Sequence, residues 1–113
     1  MGRFYSLKKN RDFQSVYREG KSFANRYLVL YVKKREDDGE NRVGISVSKK
    51  VGNSVVRHRI KRLVRESYRL NCEQTAGGHD LVVIAREKSN GITYQEIERA
   101  LLSLLKRHYL KKP

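Results

Sequence analysis

Apolar positions recur at helical spacing near the start of the chain. Three of them lie three and four residues apart: Phe13, Val16 and Tyr17. This spacing gives a helix one short apolar face. Asn10 is a suitable N-terminal cap for such a helix, and Gly20 is a suitable stop. We therefore predict a first helix from about residue 10 to residue 19.

Three later stretches have the pattern of strands. Residues 27–32 alternate between two faces, with Leu28, Leu30 and Val32 on one and Tyr27, Val29 and Tyr31 on the other. Residues 42–47 also alternate, with Val43, Ile45 and Val47 pointing inward. The acidic turn EDDGE at 36–40 separates these two stretches, so we predict that they form a hairpin. Residues 81–85 are continuously apolar, which is typical of a strand covered on both faces.

Two further helices complete the pattern. The longer one is predicted from about Ser54 to Asn71, with Asn53 or Ser54 as its cap. The last one is opened by a capping box of Thr93 and Glu96. Its apolar stripe consists of Tyr94, Ile97, Leu101, Leu104 and Leu105. The order of helix, two or three strands, helix, strand and helix predicts an α+β sandwich, a small sheet packed by helices, in one domain spanning 1–113.

Charge indicates what kind of partner the chain has. Lys and Arg number 26 against 12 Asp and Glu, for a formal net charge of +14. An excess of this size repels itself in a compact fold, so a polyanion such as RNA, DNA or an anionic membrane is the expected partner. We find neither a signal peptide nor an apolar run of membrane-spanning length. The single cysteine, Cys72, suits a reducing compartment, and we expect a cytoplasmic protein.

Much of the positive charge is concentrated in one predicted helix and the loop before it. Residues 49–69 hold eight cations and one acid, Glu66. Helical phase places the apolar residues on one side: Val56, Ile60, Leu63, Val64 and Leu70. It places a basic strip on the other: Arg57, His58, Lys61, Arg62, Arg65 and Arg69. Like charges one turn apart repel, and four of the six are arginines, whose forked guanidinium suits phosphate, so the strip predicts nucleic-acid binding.

The segment before this helix extends the predicted anion site. Gly44, Ser46 and Ser48 project from the face opposite the apolar positions of their strand. Lys49 and Lys50 follow, and the backbone amides around Gly52 lie at the N-terminus of the basic helix. Amides at a helix N-terminus favour an anion.

The basic helix and the strand before it resemble a known protein family. The segment RVGISVSKKVGNSVVRHRIKRLVRE, residues 42–66, is similar to the signature region of the bacterial ribonuclease P protein. The triplet AlaAsnArg at 24–26, the segment DLVVIAR at 80–86 and the chain length agree with this resemblance. One position departs from the pattern, since His58 stands where the family has Asn. Imidazole can still donate a hydrogen bond, but the paired donor and acceptor of the amide are lost.

The resemblance implies a four-stranded sheet in the order α-β-β-β-α-β-α, with a left-handed β-α-β crossover that contains the basic helix. It implies that ribonuclease P RNA is the partner and carries out the Mg²⁺-dependent removal of the 5′ leader from precursor tRNA. The protein alone is expected to bind no cofactor. The residues implied to bind RNA are Lys49, Lys50, Asn53, Arg57, His58, Arg59, Lys61, Arg62, Arg65 and Arg69.

The resemblance also implies a cleft for the single-stranded leader, between the first helix and the sheet. Its candidate residues are Phe13, Tyr17, Val29, Tyr31, Ser46 and Ser48. Aromatic faces stack unpaired bases with little sequence preference, which suits leaders of many sequences. The alternative is that the aromatic residues belong to the ordinary core, although buried tyrosine hydroxyls would need partners. Arg11, Lys21 and Arg26 are candidates to flank the leader phosphates.

Residues with catalytic chemistry are dispersed along the chain. The histidines lie on separate predicted elements without metal-binding spacing: His58, His79 and His108. The acids Asp12, Asp80 and Glu87 do not form a two-metal carboxylate set. We therefore expect neither catalytic nor metal-binding residues. Two rival hypotheses remain at this stage, a ribosomal protein and a nuclease that acts without an RNA subunit.

Overall fold

The computed structural model describes residues 4–108 and residue 110. Its helices and strands are, in chain order, β1 (Tyr5–Ser6), α1 (Asn10–Glu19), β2 (Lys21–Ala24), β3 (Leu28–Lys34), β4 (Arg42–Val47), α2 (Ser54–Asn71), β5 (His79–Ala85) and α3 (Tyr94–Arg107). Two single-turn 3₁₀ helices follow α2 and β5, at Cys72–Gln74 and Glu87–Ser89. The α+β class is confirmed, and the predicted element order holds once the two-residue β1 is set aside.

The sheet has five strands in the order β1-β4-β5-β3-β2. β5 lies at its centre, antiparallel to β3 and parallel to β4. The predicted hairpin of β3 and β4 is therefore wrong, because β5 is inserted between them. The apolar run of β5 at residues 81–85 is buried on both faces, with Leu81 and Val83 in one cluster and Val82 in the other, which suits a central strand. The β4-α2-β5 unit is a crossover between parallel strands, as expected; its left hand stays a prediction.

One face of the sheet carries the main hydrophobic core. α2 and α3 pack on this face with side chains that are completely buried, among them Ile60, Val64, Ile97 and Leu101. The sheet contributes Leu28, Leu30, Leu81 and Val83, which are also inaccessible to solvent. Burying a Leu, Ile or Val side chain contributes about 1.5–3 kcal/mol. This face therefore supplies most of the stability of the fold.

Among the described residues, the opposite face is covered by α1 and by Leu7 in the segment before it. Leu7, Val16 and Val82 form a small buried cluster there. The aromatic and aliphatic side chains around this cluster are only partly buried: Phe13, Tyr17, Tyr31 and Ile84. α1 is too short to cover the whole face, and a groove remains beside it.

Local signals explain where the helices begin and end. The side-chain oxygen of Asn53 accepts a hydrogen bond from the amide of Val56 at 3.0 Å, so the predicted cap of α2 is confirmed. The capping box of α3 is confirmed as well. The predicted cap of α1 is wrong, because the carbonyl of Lys9 accepts the first helical bonds, one residue earlier than Asn10. Gly20 ends α1 where a Cβ atom would lie 2.6 Å from the carbonyl oxygen of Val16.

The described residues contain neither a membrane-spanning helix nor a grouped metal site. None of the helices in residues 4–108 is long and apolar enough to cross a membrane. Over the same residues, no three His, Cys, Asp or Glu side chains are grouped as a metal site would require. Cys72 is buried after α2, and burial raises the pKa of its thiol.

Candidate nucleic-acid interface

The basic strip lies on the outer face of α2. His58, Arg62 and Arg65 are exposed, whereas Arg57, Lys61 and Arg69 are half-buried along its margin. The opposite face of the helix is buried through Ile60, Val64, Ser67 and Tyr68. The predicted phase is therefore confirmed for the cations. It is wrong for Leu70, which is 53% exposed because it lies roughly 100° from the centre of the buried face.

Little negative charge compensates the strip. The one acid on this helix, Glu66, forms an ion pair with Arg69, and the hydrogen bond from Arg69 lowers its pKa. Within the part of the chain that is described, Arg62 and Arg65 have no ion-pair partner. The Nε atom of Arg57 is buried without a hydrogen-bond acceptor among the same residues. The exposed guanidinium groups of Arg62 and Arg65 are consequently available to an external anion.

Arg59 differs from the other arginines of α2. Its Nη2 atom donates a hydrogen bond to the carbonyl oxygen of Ile92 at 2.7 Å, in the loop before α3. The side chain thus helps to fix α2 against that loop, so at least one of its donors is already used. Its predicted contact with RNA stays a prediction, as do those of Lys49, Lys50 and Asn53 in the preceding loop.

A groove of about 400 Å³ lies between α1 and the outer edge of β4. We call it the aromatic groove and define it by Lys8, Phe13, Tyr17, Ile45, Ser46 and Lys61, all of which line it. β1 pairs only with Arg42 and Val43, so the later residues of β4 are open along this edge. The groove therefore runs from α1, past β4, to the margin of α2.

Aromatic rings form one wall of the groove. The rings of Tyr17 and Tyr31 meet edge to face with their centroids 5.1 Å apart, and Phe13 lies 6.4 Å from Tyr17. Burial raises the pKa of the Tyr17 hydroxyl, and a hydrogen bond with Ser46 partly opposes this. Gly44 lies beneath Phe13, where a Cβ atom would come within 2.5 Å of the ring. The glycine thus allows α1 to approach the sheet closely.

The predicted leader-binding residues separate into two groups. Phe13, Tyr17 and Ser46 line the groove, and Tyr31 supports Tyr17 from below. Val29 does not line it but pairs with Ile84 farther across the sheet. Ser48 lines a neighbouring cavity of about 430 Å³ beyond the end of β4. Whether any of them touches a leader stays a prediction.

Two further residues line the groove although no sequence pattern predicts them there. Lys61, which was assigned to the basic strip alone, also lines the aromatic groove. Ile45 packs against the main core and faces the groove as well. The two surfaces are therefore contiguous along the margin of α2. Of the candidates to flank leader phosphates, Lys21 lines a different cleft and Arg26 lies over the ring of Tyr27, 5.6 Å from its centroid.

A buried carboxylate anchors α1 to the sheet beside the groove. Asp80 has a side chain only 3% exposed and accepts hydrogen bonds from Arg42 at 2.6–2.7 Å and Arg35 at 3.0 Å. Arg42 also lies 3.8 Å from Asp12 on α1. Burial alone would raise the pKa of Asp80, but the hydrogen bonds from the two arginines outweigh it and lower the pKa.

Known proteins resemble this chain in sequence and in structure. A family model described as Ribonuclease P matches residues 1–109. The ribonuclease P protein component of Lachnoclostridium phytofermentans is 60% identical over 103 residues, which cover 91% of this chain and 88% of that protein. The RNase P protein of Staphylococcus aureus has a TM-score of 0.88 at 39% identity, covering 96% of this chain and 98% of the other. An S. aureus RNase P protein mutant with defective mRNA degradation activity gives a TM-score of 0.87 at 40% identity, covering 94% and 89% of the two chains. These matches show that the chain belongs to the ribonuclease P protein component family.

Proposed function

We propose that this chain is the protein subunit of a bacterial ribonuclease P and acts in the cytoplasm on precursor tRNA. In this proposal the basic strip binds the catalytic RNA and the aromatic groove binds the 5′ leader. The supporting observation is that the two surfaces are contiguous, because Lys61 belongs to both. A single subunit can then hold the catalytic RNA and the substrate side by side.

The basic strip suits an RNA backbone in its geometry as well as its charge. Exposed guanidinium groups spaced along α2 can each hold two phosphate oxygens. Binding would release counterions from the RNA and would therefore weaken as salt concentration rises.

The aromatic groove suits a single strand rather than a duplex. Its floor and walls offer the partly exposed rings of Phe13 and Tyr17 for base stacking. Lys8 and Lys61 at its rim can neutralise phosphates of the same strand. Stacking tolerates every base, so leaders of different sequence could be held in the same way.

The proposal assigns binding to this chain and hydrolysis to the RNA. The RNA subunit with its Mg²⁺ ions would carry the catalytic centre, while the cations of α2 reduce repulsion between two polyanions. The carboxylates Glu66 and Asp80, which lie near the two surfaces, are engaged with arginines of the chain. Their ion pairs with arginine give these two carboxylates a structural role, so neither is needed as a catalytic group.

The direct test is reconstitution with a ribonuclease P RNA and a precursor tRNA at low Mg²⁺ concentration. Protein with RNA should cleave faster than RNA alone, because the basic strip replaces part of the Mg²⁺ that screens the two RNAs. Arg62→Ala with Arg65→Ala should lose most of this gain, whereas Arg99→Ala, an exposed change on α3, serves as the charge control. Accurate 5′ maturation by the protein alone would contradict the proposal.

A second candidate, degradation of RNA by the protein alone, has one observation in its favour. The S. aureus mutant named above is described as defective in mRNA degradation activity. The purified protein used for the reconstitution should therefore also be incubated with an unstructured mRNA in the absence of the RNA subunit. Cleavage that persists through purification, and that is lost in a variant of the chain, would establish this activity. Family membership removes the ribosomal alternative.

A further inference from the structure

A second concave surface lies at the other end of the sheet, where β5 begins and α3 ends. It is a cleft of about 510 Å³. We call it the cationic cleft and define it by six of the residues that line it: Glu19, Lys21, Lys33, Lys34, His79 and His108. These residues come from α1, β2, β3, β5 and the end of α3, so the cleft exists only in the folded chain.

The charge of the cleft is positive and largely uncompensated. Its single acid among the described lining residues, Glu19, accepts from the ammonium group of Lys33 at 3.0 Å. That ammonium group also donates to the hydroxyl of Ser15 at 2.7 Å. Lys21 and Lys34 are exposed and have no ion-pair partner in the described part of the chain. Two cations therefore remain for an external anion.

The two histidines add polar rings to the wall of the cleft. The Nε2 atom of His108 lies 2.9 Å from the carbonyl oxygen of Leu30, and since a carbonyl can only accept, this nitrogen carries the proton. The Nδ1 atom of His79 is buried, and hydrogen bonds with the backbone of Ala76 and Gly77 act to raise the pKa of this ring.

Burial lowers the pKa of both rings, so they are mainly neutral at neutral pH. The charges facing His79 are Lys34 and Arg35, and those facing His108 are Arg107 and His79 itself, which all lower the two pKa values further. A bound anion would offset this repulsion and raise the pKa of each ring.

The cleft lies apart from the other two surfaces. The basic strip is on α2, which packs against β4, whereas the cleft includes β2 and β3 on the far side of β5. No residue that defines the cleft also defines the strip or the groove. A single RNA strand that contacts the cationic cleft and the basic strip would have to pass around the molecule. Otherwise two separate RNA segments would have to bind the two surfaces.

We propose that the cationic cleft binds a backbone phosphate of RNA, as a third contact separate from the basic strip and the aromatic groove. The proposal rests on the RNA-binding function proposed above, because an RNA backbone is then the anion that the chain meets at highest local density. Free inorganic phosphate has the same chemistry, and the test must distinguish the two sources.

The three histidines of the chain allow each surface to be observed separately. His58 lies on the basic strip, whereas His79 and His108 lie in the cleft. Their ring signals can be followed by NMR while the full chain is titrated with a short single-stranded RNA without terminal phosphates. A parallel titration uses inorganic phosphate. We expect the RNA to shift the signals of all three rings and to raise the pKa of His79 and His108.

Charge variants show whether the cleft itself is responsible. Lys34→Gln or Lys21→Gln should weaken the response of His79 and His108 about two- to fivefold, as expected for one exposed ion pair. The response of His58 should be unchanged. Lys88→Gln is the matched control, because Lys88 is also exposed but follows the opposite end of β5.

The outcomes separate this proposal from the proposed function. A shift of His58 alone on addition of RNA would overturn the cleft proposal and leave the basic strip intact. A response of the cleft histidines to inorganic phosphate but not to RNA would show an ion site and overturn the proposal too. Silence of all three rings with RNA would count against the proposed function as well. If Lys88→Gln weakened the response equally, net charge alone would explain it, and the proposed site in the cleft would be contradicted.

Discussion

The two faces of the sheet differ in how completely they are buried, and the difference is visible within the single strand β3. Leu28 and Leu30 point toward α2 and α3 and are completely buried. Tyr31, the next residue, points toward α1 and stays partly exposed. The first face is packed by helices of 18 and 14 residues, and the second by one of 10 residues.

The difference shows how a chain of 113 residues combines a stable core with an open binding surface. The larger apolar core lies on the face with two helices. The other face is held by a small cluster around Val16 and Val82 and by the ion pairs of Asp80. Side chains that a longer α1 would bury are left available to a ligand.

The largest effect is expected from truncation on the packed face. Leu30→Ala should reduce the free energy of unfolding by about 2–5 kcal/mol, because it leaves a cavity in a core without solvent. Val29→Ala, its half-buried neighbour on the other face, is the matched control and should cost about 1 kcal/mol. Urea unfolding of both variants measures the contrast. Similar losses at the two positions would mean that the faces do not differ in this way.

A smaller effect is expected from the carboxylate that holds the α1 side. Asp80→Asn should cost about 1–3 kcal/mol near neutral pH, because Arg35 and Arg42 lose a charged acceptor. The pKa of Asp80 is below its usual value of 3.8. The ionised carboxylate therefore stabilises the fold above that pH, and this stabilisation is lost as the pH falls through the lowered pKa.

The difference in unfolding free energy between wild type and Asp80→Asn should consequently shrink on acidification. Urea unfolding at about pH 7 and about pH 3 measures it. Glu40→Gln removes an exposed carboxylate two residues before Arg42 and controls for net charge. A difference that stays constant over this range would show that Asp80 is not ionised in the folded protein.

Substitutions in the basic strip should have the smallest effect on stability but a large effect on RNA binding. Arg62→Ala with Arg65→Ala should change the unfolding free energy by at most about 0.5 kcal/mol, since both side chains are exposed. Binding to the catalytic RNA should weaken, and its log–log salt dependence should lose about one unit per phosphate contact. Unfolding of the variant, with unchanged RNA affinity per folded molecule, would contradict the placement of the strip.

The sequence predicts well what is decided locally. The bounds of α2 are found because the cap at Asn53, the apolar period and the end at Asn71 are consistent with one another. Strand pairing is not local, and the acidic turn at 36–40 suggested a hairpin that the sheet does not form. The continuous apolar run of β5 already indicated a central strand, and giving it more weight would have placed β5 between β3 and β4.

The candidate sites show the same division. Phe13, Tyr17 and Ser46 were identified by resemblance and by their aromatic or polar character, and they line one groove. Arg59 was assigned to RNA, but a contact with the carbonyl of Ile92, 33 residues away, determines its direction. The sequence pattern does not predict the cationic cleft, because the cleft assembles residues from four separate parts of the chain.

The central claim is that the open face binds the leader, and the affinity for two tRNAs tests it most directly. The reconstituted holoenzyme should be measured with precursor tRNA and with mature tRNA, which has no leader. Tyr17→Ala removes a groove ring worth about 1–3 kcal/mol in stacking, and Tyr31→Ala removes the ring that supports it. Tyr27→Ala is the matched control, because the hydroxyl of Tyr27 bonds to Glu96 on the packed side. We predict that precursor tRNA binds about five- to hundredfold more weakly to the groove variants, while mature tRNA binds almost as before. Equal losses for both tRNAs would show that these tyrosines only support the fold, and would contradict the account.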